Sequence, residues 1–77
     1  MIELTVYSRE GCHLCELMLE EIGRLYGARV RVTVLDVDSR DDWRQLYGLK
    51  VPVLSHMDRE ICFGRLDTAA MRAVLTA

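Results

Sequence analysis

Residues 2–8, Ile-Glu-Leu-Thr-Val-Tyr-Ser, alternate in character: Ile2, Leu4 and Val6 fall on one side, Glu3, Thr5 and Tyr7 on the other. A period of two predicts a β-strand with one face covered. From His13 the period changes. Leu14, Leu17, Met18, Ile22 and Leu25 recur at helical spacing and Gly27 is a stop signal, so a helix is predicted just after Cys12. Alternation returns through Val30, Val32 and Val34. Ser39, with Asp42 three residues on, has the form of a cap for a short helix that ends at Gly48. Residues 51–56 carry the only proline and predict a short strand; residues 57–59 can turn, and residues 60–63 return as a strand. Residues 66–75 predict a last helix, with Asp67 at its cap and Leu66, Ala70, Met71 and Val74 on one face.

The predicted order is β-α-β-α-β-β-α. A strand–helix–strand start implies a right-handed crossover between parallel strands. The last two strands are close enough in sequence for an antiparallel hairpin. Helices are then available for both faces of the sheet. The expectation is one domain over residues 1–77, an α/β sandwich of three layers around a mixed four-stranded sheet.

Composition narrows the function classes. The chain has 77 residues, 51% hydrophobic, and a net charge of −2. Nucleic-acid binding usually leaves a basic footprint, which is missing here. No apolar run approaches the roughly 18 residues of a membrane helix. The opening residues lack the basic lead and long apolar stretch of a secretory leader, so a cytoplasmic protein is expected. Three cysteines do not make the framework of a secreted mini-protein. In a reducing cytosol a close pair of cysteines is more often catalytic or metal-binding than structural.

Cys12 and Cys15 are that pair. Cys12 falls at the start of the first predicted helix, among unpaired backbone N–H groups and the positive end of the helix dipole. Both favour a thiolate over a thiol. Cys15 lies one turn on, within reach of a disulfide. A thiol of pKa about 8.5 is only a few per cent thiolate at pH 7. Bringing it to about 7 raises that fraction roughly fifteenfold, but nucleophilicity falls at the same time, so the larger benefit is to leaving-group quality and redox poise. Arg9 adds positive charge three residues before Cys12, Glu10 and Glu16 oppose it, and His13 favours a Cys12 thiolate when protonated. The bland reading of His13 is a solvated residue at a helix start.

At this point the chain resembles the glutaredoxins, and more closely the small bacterial glutaredoxin-like proteins of the thioredoxin fold. The resemblance rests on Cys-His-Leu-Cys after the first strand, Lys-Val-Pro-Val-Leu at residues 50–54 and Phe-Gly-Arg-Leu-Asp at residues 63–67. It implies a cis Val51–Pro52 bond facing the cysteines, with the Val51 backbone free to pair with the chain of a substrate. It matches Arg9 to a basic residue that meets a glutathione carboxylate, and Gly64 and Asp67 to the stretch that meets the glutamyl end. There are departures. His13 and Leu14 stand where glutathione-using members have Pro-Tyr, Phe63–Gly64 replaces Gly-Gly, and Asp67 falls one position late.

What the resemblance implies is a monomeric thiol–disulfide oxidoreductase. Cys12 is the nucleophile and Cys15 resolves the mixed disulfide. Arg9, His13, Val51, Pro52, Gly64 and Asp67 are the substrate-binding candidates. The partners are a disulfide-containing protein and a reductant, either glutathione or a thioredoxin-reductase-type system, with no bound cofactor or metal. Three alternatives stay open: a glutathione-dependent enzyme acting on glutathione mixed disulfides, a zinc or iron–sulfur module, and a non-catalytic adaptor. For zinc, His13, His56 and Cys62 are the available companions of the pair. Otherwise Cys62 reads as a buried strand residue, His56 as solvated, Trp43 and Tyr47 as packed on each other, and Tyr7 and Tyr26 as packing residues.

Overall fold

The computed structural model describes residues 1–76. Strand β1, Ile2–Ser8, leads into helix α1, His13–Tyr26, and returns in β2, Val30–Asp36. Helix α2, Asp41–Tyr47, precedes strands β3, Val53–His56, and β4, Arg59–Phe63, and helix α3, Thr68–Thr76, closes the described chain. The sheet order is β2-β1-β3-β4. β1 runs parallel to β2, while β1–β3 and β3–β4 are antiparallel. The architecture is the mixed four-stranded α/β sandwich expected, with β1 inside the sheet.

Alternation along β1 sets the two layers. Leu4 and Val6 are buried against Leu54 of β3, Met18 and Ile22 of α1 and Met71 of α3. Tyr7 points the other way. Its ring stacks on Tyr47 at 4.2 Å and meets Trp43 edge-on at 5.6 Å, which fastens α2 to the opposite face. Trp43 and Tyr47 therefore meet through Tyr7; the expected pairing of the two with each other is replaced by a three-ring cluster. Burial pushes the Tyr7 hydroxyl pKa up, and the neighbouring Tyr47 adds to this.

Two local expectations change. The buried stripe of α1 is Cys15, Met18, Ile22 and Tyr26, while Leu14, Leu17 and Leu25 stand about 40% exposed. Cys15 and Tyr26 complete the i, i+3, i+7, i+11 face, so the face is rotated from the one the leucines mark. The cap of α2 also moves. After β2 the chain makes a single 3₁₀ turn, Val37–Ser39, in which Asp36 accepts from the Asp38 N–H at 2.9 Å and Ser39 Oγ donates to the Asp36 carbonyl at 2.6 Å. This local turn consumes Ser39, and α2 starts from an extended Arg40 with no side-chain cap. Asp42 instead accepts from the Trp43 N–H and from Arg40.

The β3–β4 hairpin turns through Met57 and Asp58, both at positive φ. This suits the right-handed twist of the flanking strands. Asp67 caps α3 as expected: its Oδ1 accepts from the Ala70 N–H at 3.0 Å. Losing an N-cap of this kind costs about 1 kcal/mol. Asp67→Ala is accordingly expected to lower the unfolding midpoint by about 4–8 °C. Calorimetry checks this, and an unchanged midpoint would show that the cap contributes nothing.

Candidate active site at the Cys12–Cys15 pair

The site begins with a tight turn. Gly11 sits at φ +77°, and the Cys12 N–H donates back to the Arg9 carbonyl at 3.2 Å. Cys12 is then extended and becomes the N-cap of α1. Its Sγ occupies the place a serine or aspartate oxygen usually takes and accepts from the Cys15 N–H at 3.2 Å. The two cysteines form a disulfide with Cα atoms 5.2 Å apart, inside the ordinary range for such a bond. The pair is asymmetric. Cys12 is partly exposed, whereas Cys15 is 1% exposed on the buried stripe of α1.

Pro52 comes to the same end of the sheet. Val53 pairs with Tyr7 in the antiparallel β1–β3 ladder. Continuing that register sets Pro52 opposite Ser8 and Val51 opposite Arg9. The Val51–Pro52 bond is cis, and Pro52 is buried. Val51 lies outside the ladder. The Pro52 carbonyl accepts from the Gly64 N–H at 2.8 Å, and Gly64 takes φ +78° at the end of β4. Gly64 thus stands beside this segment and secures Pro52, while Asp67 caps α3.

Arg9 does not project as a free cation. Its Nε and Nη2 donate to the two oxygens of Asp38 at 2.9 and 3.1 Å, and Nη1 donates to the Gly48 carbonyl at 2.9 Å. Arg44 reaches the same Asp38 from α2. The Arg9 hydrogen bond holds the Asp38 carboxyl below the usual carboxylate range, and Asp38 in return raises the Arg9 pKa. The positive charge expected to act on Cys12, or on a substrate carboxylate, is balanced within the protein. His13 is 79% exposed, with Nδ1 3.9 Å from Glu16, which is itself 71% exposed. Both stand on the solvent side of the helix, away from the buried Cys15 sulfur.

The proposed companions for zinc are not gathered. His56 Nδ1 lies 3.0 Å from the Glu3 carbonyl. That is the far end of β1 from Cys12, roughly 17 Å along the strand at about 3.3 Å per residue. Cys62 lies on the edge strand β4, paired with Leu54. It is half-buried rather than fully buried, and desolvation pushes its thiol pKa up. No group of three histidine, cysteine, aspartate or glutamate residues placed to hold a metal occurs among the described residues. Sequence reasoning missed Asp38 and Gly48. Both meet Arg9 across long separations, and the second aspartate of Asp-Val-Asp-Ser carries no mark of its distant partner.

Comparison with known proteins agrees with this geometry. A search of curated proteins finds no match. Solved structures do match. Protein Ne2328 of Nitrosomonas europaea, solved in solution, superposes with a TM-score of 0.79 at 35% identity, over 95% of this chain and 89% of that one. Protein XcR50 of X. campestris, an X-ray structure, gives 0.75 at 32% identity over 95% of each chain. A malarial protein at 12% identity and a TM-score of 0.56 shares the fold alone. The profile of the glutaredoxin-like domain (DUF836) matches residues 3–76. With the pair, the cis proline and the sheet in place, the chain belongs to the glutaredoxin-like domain family.

Proposed function

We propose that the protein is a dithiol oxidoreductase that reduces disulfides in other proteins. The observation that carries this reading is the asymmetry of the pair: Cys12 is partly exposed with its Sγ against the Cys15 N–H at the start of α1, while Cys15 is 1% exposed. In the reduced protein the helix start favours a Cys12 thiolate. That thiolate attacks one sulfur of the substrate disulfide. The substrate S–S bond breaks, a mixed disulfide forms, and the departing substrate thiolate takes a proton from water. Cys15 then gives up its proton to solvent and attacks Cys12 Sγ. The mixed disulfide breaks, the second substrate thiolate leaves, and Cys12–Cys15 holds the disulfide. Two electrons have passed to the substrate, and an external thiol reductant returns them.

Three features favour a protein over glutathione as the partner. Leu14 is 41% and Phe63 53% exposed, and Leu49 is fully exposed, so the pair and the Val51–Pro52 segment have apolar neighbours. Val51 is outside the sheet ladder, which suits a short strand pairing with a partner's chain. Arg9, the cation that would meet a carboxylate, is engaged by Asp38. The low, odd cysteine count fits work in a reducing compartment such as the cytosol.

Two experiments test this. After reduction, alkylation at mildly acidic pH is expected to label Cys12 first, with Cys15 lagging because it is buried from the reagent and Cys62 because desolvation pushes its thiol pKa up. Equal labelling of the three would remove Cys12 as the nucleophile. Cys15→Ser is expected to stall turnover on protein disulfides, accumulate a Cys12-linked complex visible by non-reducing electrophoresis, and leave little activity on glutathione mixed disulfides. A mutant that keeps most of its activity on the glutathione-linked substrate would instead establish the monothiol route.

A further inference from the structure

Three separate segments meet at the end of the sheet that carries the site. The turn over residues 9–12 presents Cys12. The 3₁₀ turn Val37–Ser39 follows β2. Gly48 ends α2, three residues before Val51. Arg9 joins all three: its guanidinium places two donors on Asp38 and one on the Gly48 carbonyl, and its backbone carbonyl accepts the Cys12 N–H. Gly48 lies close to this contact. Its φ of −55° suits any residue, but an added Cβ would press on the Arg44 carbonyl and lie 3.3 Å from Arg9 Nη2.

From this we infer that Arg9 is a positioning residue, a strut that fixes the distance between Cys12 and the Val51–Pro52 segment. The inference rests on the dithiol reading above. A substrate strand paired with Val51 must bring its sulfur in line with Cys12 Sγ, and attack geometry is steep in distance. The strut joins the two halves of that arrangement. Its side chain is about one-third exposed, and that of Asp38 about two-fifths. Exposed pairs contribute little to global stability, so the strut serves alignment more than folding. Only arginine offers the planar fork and a further donor together; a lysine carries the charge without the geometry.

The experiment uses the full chain with insulin as a protein disulfide, in the presence of a dithiol reductant. Arg9→Gln and Asp38→Asn are each expected to lower kcat about tenfold with KM changed less than about threefold, as loss of alignment rather than of binding requires. The double variant is expected to be no slower than either single one, because both remove the same strut. Arg9→Lys is expected to behave as Arg9→Gln. Wild-type turnover in Arg9→Lys would overturn the inference, since charge alone would then suffice. Multiplying effects of the two substitutions, or unchanged turnover, would overturn it as well. A wild-type chain inactive on insulin overturns the functional reading instead. Amide hydrogen exchange tests the strut independently of turnover. In Arg9→Gln the amides of Cys12 and Lys50 are expected to exchange about tenfold faster while that of Val6 is unchanged, as local opening requires. Exchange at Cys12 and Lys50 equal to the wild type contradicts the strut.

Discussion

A sulfur in the capping position of a helix is the constraint on which the rest of this structure depends. Helix α1 has backbone donors to satisfy at its start, and Cys12 Sγ accepts one of them. This single contact sets three things together. It places the sulfur at the positive end of the dipole. It fixes Cys15 one turn away, at a spacing a disulfide can span. It also sets the phase of the helix, so that Cys15 falls on the stripe with Met18, Ile22 and Tyr26 that packs onto the sheet. Accessibility of one sulfur and burial of the other follow from that phase.

The surrounding charges are arranged to leave the helix start in control. Arg9 is matched by Asp38, and Arg44 is shared between Asp38 and Asp41. His13 and Glu16 face solvent, where screening is strong. What remains close to Cys12 is the oriented backbone. The sequence offers Arg9 and His13 as favourable charges with Glu10 and Glu16 opposing Arg9, a balance that counting does not settle. Counting charges near a cysteine along the chain misleads here because the partner of Arg9 lies 29 residues away.

The order of elements was legible because hydrophobic period is a local property, and the strands, helices and turns each carry it. The Asp67 cap was legible for the same reason. The α2 cap was not. Ser39 has the right identity, but Asp36 reaches the chain first and closes its own turn. The face of α1 was half legible. Met18 and Ile22 mark it and Tyr26 reads as a packing residue, yet Cys15 is not read as a core residue, and the exposed leucines draw the stripe aside. The pair and the proline were legible through motif and resemblance. That the two face each other was carried by the resemblance alone and not by the residue pattern, since it depends on the β1–β3 register that sets Val53 against Tyr7. The aromatic cluster was hidden likewise, because Tyr7 joins Trp43 and Tyr47 only once α2 folds over the sheet.

In the proposed function, Cys12 and Cys15 form one reversible two-electron couple that exchanges with thiols while Cys62 stands apart. Equilibrating the protein in graded glutathione redox buffers, quenching with acid and weighing the alkylated species tests this most directly. A single transition between dithiol and Cys12–Cys15 disulfide is expected, with the slope of a two-electron couple, Cys62 alkylated throughout, and no lasting glutathione adduct. A stable glutathione adduct on Cys12 across the transition, or a pair that stays reduced in every buffer, would contradict it.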